Sequence, residues 1–374
     1  MKILMTADPI GGVWSYALEL CAALEPYGVN VVLATLGGHL TPAQCASAAA
    51  LPNVLLQESR YRLEWMPDPW EDLERAGDWL LGLEAEFRPD VVHLNHLVHA
   101  DLPWQAPVLS VGHSCVLSWW AAVRGGPAPA DWDVYRERVT RSLRAAQCVA
   151  APSRAMLIEL QRYYGPLRNC VVIPNCRDAS RFSSASAKEP FVLSAGRLWD
   201  EAKNVAALAR VAARIQWPVY VAGVATAPGG GTACFPGVRM LGPQDTASLR
   251  QWYARAGIYA LPARYEPFGL TPVEAGLSEC ALVLGDIASL REVWGDAALY
   301  VDPDDHDGLA LTLGELAEDS QMRRVLGARA LARARELAPE RFVSAYRTAY
   351  RKLLEDSRRA DVRAAAGFHV GVSA

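Results

Sequence analysis

Short, almost uninterrupted apolar runs alternate with helical patterns along the chain, and this alternation restricts the fold more than any other feature. The runs at Lys2–Thr6, Asn30–Thr35, Val54–Gln57, Val91–Asn95, Pro107–Val111, Gln147–Ala151 and Cys170–Pro174 have strand length. A strand that is apolar on both faces must be covered on both faces, which is the condition of a parallel sheet wrapped by helices. Helical patterns at Val13–Glu25, Pro69–Phe87, Trp132–Ala145 and Ser153–Tyr164 supply the covering layers. Residues 175–190 (NCRDASRFSSASAKEP) are polar, serine-rich and aperiodic, and read as a linker. The pattern then restarts, with strands expected near Phe191–Ala195, Val219–Ala222, Val238–Leu241, Ile258–Leu261, Ala281–Leu284 and Leu299–Val301. A chain of 374 residues is long enough for two cores. The expected class is α/β: two doubly wound, Rossmann-like domains whose strand ends face a central cleft.

Composition removes several classes of function. A net charge of −4 gives no reason to expect a nucleic-acid partner. No apolar run nears the roughly 20 residues of a membrane span, and the start, acidic by Asp8, lacks a signal-peptide core. The 8 cysteines are scattered without a C-x-x-C pair, which fits neither a zinc site nor a disulfide framework. A cytoplasmic protein is expected. Residues 60–66 (RYRLEWM) with Arg136, Arg138, Arg141 and Arg144 would allow weak peripheral docking to an anionic inner membrane surface. A solvated helix face is the plainer explanation of those arginines.

The most informative stretch is Arg264 to Glu274 (RYEPFGLTPVE). Thr271 is expected to cap a helix, with Pro272 in its first turn and Glu274 completing a capping box. The amides of Phe268, Gly269 and Leu270 would then face an anion at a positive helix end. Glu266 and Glu274 bracket this turn and suit hydroxyl groups of a sugar and a ribose. A second stretch, Ser194 to Asn204 (SAGRLWDEAKN), leaves a strand end carrying Arg197 and Lys203. Two cations there would neutralise a diphosphate, most effectively as charge builds on it as a leaving group. A third, Gly11-Gly12, joins the first strand to the first helix, either as a phosphate cradle or as a plain tight turn. It lacks G-x-G-x-x-G spacing, and Thr35 stands where a dinucleotide site wants an acid, which argues against NAD.

Other patterns have plainer explanations. Residues 112–116 (GHSCV) approach the hydrolase nucleophile elbow around Ser114, but Val116 replaces its last glycine. His93, His96 and His99 have a metal-like spacing that a strand-to-loop transition need not bring together. Trp119 and Trp120, near His113, suit stacking on an acceptor, and Trp14 and Gly11 are placed near the same mouth; most other tryptophans are expected in the core.

In order and spacing, these pieces resemble the retaining glycosyltransferases of GT-B architecture, family 4 (group 1). The likeness runs through Gly11-Gly12-Val13, Asp90 to His93, His113, Ala151 to Ser153, Val172 to Asn175, Gly196-Arg197, Lys203-Asn204 and the Glu266/Glu274 pair. It implies an acceptor-binding domain over residues 1–185, a donor-binding domain over 186–339, and a last helix, about 340–374, returning to the first domain. Arg197 and Lys203 would hold the diphosphate of a UDP- or GDP-linked hexose, and Glu274 the ribose. Glu266 and the Phe268–Leu270 amides would hold the sugar, His113 would lie against it, and Gly12 near the phosphates. The acceptor would be a hydroxyl of a sugar, a lipid-linked glycan or a small molecule, with no cofactor and no metal expected. A sugar-nucleotide epimerase and a non-catalytic nucleotide-sugar binder are the alternatives. Two departures from the family pattern are His113-Ser114-Cys115, in place of His-Asp, and Asn175-Cys176, in place of Asn-Gly.

Overall fold

The structure, a computed structural model, describes residues 1–367, with side chains through 359. Its first sheet contains β1 (Lys2–Ala7), β2 (Asn30–Thr35), β3 (Val54–Glu58), β4 (Val91–Leu94), β5 (Val108–Val111), β6 (Cys148–Ala151) and β7 (Cys170–Val172). Helices α1 (Gly12–Leu24), α2 (Pro42–Ala49), α3 (Trp70–Phe87), α4 (Val116–Arg124), α5 (Asp133–Ala145) and α6 (Arg154–Tyr164) cover it. The second sheet contains β8 (Glu189–Ala195), β9 (Val219–Ala222), β10 (Arg239–Gly242), β11 (Ala256–Leu261), β12 (Ala281–Gly285) and β13 (Leu299–Val301). Around it lie α7 (Val205–Val211), α8 (Thr246–Arg255), α9 (Leu270–Leu277), α10 (Ala288–Trp294), α11 (His306–Glu318) and α12 (Ser320–Glu336), followed by α13 (Pro339–Gly367).

Both sheets are parallel, ordered β3-β2-β1-β4-β5-β6-β7 and β10-β9-β8-β11-β12-β13. Strand order reverses between β1 and β4 and again between β8 and β11, and ligands of open α/β sheets bind at such reversals. The loops after β1, β4, β5, β8 and β11 therefore supply the site. Along β1, Ile3 and Met5 pack under α1 and α13, while Leu4 packs on the opposite face with Leu80 and Leu83 of α3. This two-sided burial is why the strands read as continuous apolar runs. Helices α2 and α4 fall where the sequence shows no helical period, the first alanine-rich and the second short and aromatic.

The segment read as a linker is less solvated than its composition implies. Cys176 and Arg177 are buried, and the last residues of that segment already belong to β8. Helix α13 lays Phe342, Val343, Tyr346, Tyr350 and Leu353 into the same core as Tyr16 and Leu20 of α1. Residues 368–374, the end of the helix expected over about 340–374, lie outside the described residues. Among the described residues no helix is long and apolar enough to cross a membrane. On α5, Arg136 pairs with Asp133 at 3.2 Å, Arg138 with Glu74 at 3.0 Å, and Arg141 with Asp101, so little unpaired positive charge faces outward there.

Candidate active site

A cleft of about 730 Å³ opens between the carboxyl ends of the two sheets. From the first domain, Gly11, Gly12, His113 and Trp119 line it; from the second, Arg197, Lys203, Glu266, Glu274 and residues 268–271. Trp14 and Trp120, both expected at the acceptor side, do not line it. Trp14 points into the core under α1, because its position along the helix turns it away from the cleft. Trp120 lies on the outer face of α4 between Trp119 and Trp132.

The first-domain wall is uncharged. His113 Nε2 lies 2.9 Å from Asn95 Oδ1, and burial lowers its pKa from 6.5 to about 3. His93, lowered to about 3 by burial and then by the nearby His113, bonds Asn95 and Tyr350 rather than joining His96 and His99. Among the described residues, no group of three His, Cys, Asp or Glu is arranged to hold a metal. Nor does any hydrogen bond join His113 to Ser114 among them, so the elbow-like sequence builds no hydrolase pair. At the end of β1, Asp8 accepts the Ile10 amide at 2.8 Å. Burial raises its carboxyl to about 7, against the opposing pull of that bond and of Arg197. Gly11 turns the chain at φ 102°, and a Cβ there would stand 3.1 Å from Arg197 Nη1, so only glycine lets this arginine lie across the turn.

The second-domain wall keeps its charges and pairs them. Arg197 holds Asp200 at 3.0 Å, and the other oxygen of that carboxylate accepts the Trp119 indole N–H at 3.0 Å. Burial pushes Asp200 up, but Lys203, Arg197 and the indole bond hold it below the usual carboxylate range. Lys203 bonds Glu266 at 2.6 Å, both almost buried. Asn204, in the left-handed conformation at φ 55°, fixes the lysine turn by bonding the carbonyls of Pro262 and Pro303. Ser289 and Ser153 bond the carbonyls of Glu266 and Pro267, the second across the domains.

The helix after this loop begins two residues earlier than the sequence implies. Gly269, at φ 90°, is the cap of α9 and offers no side chain, while Thr271 is inside the helix and accepts the Tyr259 hydroxyl at 2.7 Å. The expected Thr271/Glu274 capping box is therefore absent: the left-handed glycine starts the turn and Tyr259 takes the threonine. Among the described residues the amides of Phe268 and Gly269 have no protein acceptor. The Nε atoms of Arg177, Arg197 and Arg250, all on the cleft, are likewise buried without one. Buried donors without partners are rare in proteins, and here they converge on one cavity.

Glu274 pairs with Arg177 at 2.5 Å, and Arg177 also reaches Glu19 of α1 at 3.2 Å. Arg177 was hidden within the polar segment read as a linker. The signal available was a charged residue in the connection that follows an apolar strand. Asn95, Asp200 and Tyr265 were also missed; the Tyr265 hydroxyl accepts the Cys115 amide across the domains at 3.0 Å.

Residues 10–181 match the family described as Glycosyltransferase Family 4, and residues 189–319 match Glycosyl transferases group 1. The chain belongs to the family 4 glycosyltransferases. Its fold is GT-B. It is similar to the O-antigen chain mannosyltransferase B of Escherichia coli, 34% identical over 116 residues, which are 31% of this chain and 30% of that one. A second relative, the D-inositol 3-phosphate glycosyltransferase of Xylanimonas cellulosilytica, is 28% identical over 87% of this chain and 88% of its own. Thus the chain spans less than a third of the first relative's length but most of the second's. Among solved structures, sucrose-phosphate synthase from Thermosynechococcus elongatus superposes with a TM-score of 0.78 at 19% identity, over 95% of this chain and 100% of that one. Anabaena HepE, solved with UDP-glucose, gives 0.70 at 17% identity over 96% of this chain and 100% of that one.

Proposed function

We propose that the protein transfers a hexosyl unit from a nucleotide diphosphate, UDP- or GDP-linked, to a hydroxyl acceptor with retention of configuration. The observation that carries this reading is the convergence of donors without acceptors, from Arg197 and the Phe268 and Gly269 amides, beside Lys203 in one interdomain cleft. The UDP complexes of HepE support the nucleotide-sugar class. In the reaction, the acceptor oxygen bonds to the anomeric carbon on the face from which the diphosphate leaves. The bond from that carbon to the phosphate oxygen breaks with its electron pair, and the departing oxygen takes the acceptor's proton. Arg197 and Lys203 meet the charge that grows on the leaving group, and preorganised donors are worth most at that moment. Lys203 is drawn from Glu266, which turns to sugar hydroxyls, while Glu274 meets the ribose beside Arg177. Two cations and an open helix end offset the diphosphate without a divalent ion.

Sugar nucleotides are offered with simple hydroxyl acceptors, and the product anomer is read by NMR, with and without EDTA. The expected result is retained configuration at a rate EDTA does not change, lost in Arg197→Ala and Lys203→Ala. Near-normal rates in both variants refute the assignment.

A further inference from the structure

We propose that Asn95 is a positioning residue that fixes His113 as an acceptor-only imidazole at the cleft, so that a donor hydroxyl is favoured there over a carboxylate. The inference rests on the transferase reading for the identity of the ligand, but not for the state of the ring.

The direction of each hydrogen bond follows from chemistry. Asn95 Nδ2 lies 2.7 Å from the Thr6 carbonyl. A carbonyl only accepts, so the amide orientation is set, and Oδ1 faces His113 Nε2 at 2.9 Å and His93 Nε2 at 3.1 Å. An amide oxygen also only accepts, so both rings carry their proton on Nε2. His93 Nδ1 then receives the Tyr350 hydroxyl of α13 at 2.6 Å.

The same logic runs along a second branch. The Asn95 backbone N–H donates to Thr6 Oγ1 at 2.8 Å, and the Thr6 hydroxyl donates to His96 Nδ1 at 3.0 Å. His96 Nε2–H donates to His99 Nδ1 at 2.8 Å, and His99 Nε2–H to the Leu73 carbonyl at 2.7 Å. The histidines that resembled a metal set are instead a directed chain of bonds that anchors Asn95 to β1, β4 and α3.

In this network the Nδ1 atoms of His93, His96 and His99 are all occupied. That of His113 has no protein donor among the described residues, and it is absent from the buried polar atoms that lack partners. His113 lines the cleft, so this nitrogen opens onto it. A lone pair at that point accepts from a hydroxyl and repels a carboxylate. Burial opposes protonation of the ring, which is the one escape from that repulsion.

The test uses the full chain labelled with 15N at histidine, and long-range proton–nitrogen spectra in which His113→Gln assigns the ring. The neutral Nε2–H form is expected throughout about pH 5 to 8. Asn95→Ala should release the ring, which then titrates in that window or carries its proton on Nδ1. Asn95→Asp accepts from the same nitrogens, so it should keep the Nε2 proton and move the titration upward. A wild-type ring protonated on Nδ1, or an Asn95→Ala ring identical to wild type, overturns the proposal.

In parallel, donors carrying a neutral hexose and the matching uronic acid are compared. The hexose should be preferred in kcat/KM on the order of 100-fold, the scale on which a lone pair left facing a charge discriminates. Asn95→Asp should narrow that preference about tenfold. Equal rates for both donors in the wild type overturn the proposal. Failure to transfer from any sugar nucleotide would instead remove the transferase reading, and the spectra decide the state of the ring even then.

Discussion

The two walls of the cleft keep polar groups out of water in opposite ways. On the first-domain wall burial drives ionisable groups toward their uncharged forms: His93 and His113 are pushed down and Asp8 up. On the second-domain wall the charges survive, held as Arg197–Asp200, Lys203–Glu266 and Arg177–Glu274. A neutral wall whose bonds are committed internally is rigid and reads shape and hydrogen-bond polarity. A wall of paired ions can exchange partners, which suits a leaving group whose charge changes during reaction. On the proposed reading, the neutral wall meets the sugar through His113, while the charged wall meets the diphosphate through Arg197 and Lys203 and sugar hydroxyls through Glu266.

The charged wall is most exposed to disruption at Arg177. Arg177→Ala leaves Glu19 and Glu274 buried without their cation and should cost about 3 to 5 kcal/mol in urea unfolding. Replacing all three by apolar residues should recover most of that loss. A cost below about 1 kcal/mol for the single change would show that these ions are solvated rather than structural. Next in size, Arg197→Ala and Lys203→Ala should each lower kcat/KM about 100- to 1,000-fold, with a smaller loss of stability than at Arg177, because each leaves one carboxylate, Asp200 or Glu266, without its cation.

The neutral wall should declare itself through pH. His93 and His113 titrate near 3 when folded against 6.5 when not, so their contribution is present above pH 6.5 and lost as pH falls toward 3. Each ring should remove roughly 1 to 2 kcal/mol between about pH 6.5 and 5. Asp8 has the opposite sign: its contribution is full below 3.8 and lost as pH rises through about 7. Asp8→Asn should therefore be more stable than wild type at alkaline pH, and equal stability there would mean the carboxyl is not desolvated. The smallest effect is expected at Glu292. Its carboxylate accepts the Arg154 and Ala155 amides at 2.7 and 2.8 Å, capping α6 from the other domain. Glu292→Ala should cost about 1 kcal/mol, with transfer little changed.

Both sheets were visible in the sequence because their central strands are buried on both sides, and burial on both sides is written residue by residue. Arg197, Lys203 and Glu266 were found for a similarly local reason: each lies in the connection between a strand end and the next helix. What failed depended on distant partners. Thr271 looked like a cap because nothing nearby shows that Tyr259 takes its hydroxyl. Trp14 differs from a cleft residue only in the phase of α1. Arg177 looked like a solvated linker charge, since both its carboxylates are far away in sequence. Asn95 acquires its role only when β1, β4 and β5 stand side by side.

The chain passes between the domains at residues 173–188 and again between α12 and α13, and the two passages touch: the Arg177 amide donates to the Leu337 carbonyl at 3.4 Å. Two pins set next to each other define a door's axis. Any rotation of one domain against the other is restricted to that line and must break the bonds Trp119 and Ser153 make across the cleft, while sliding or twisting would stretch one passage against the other.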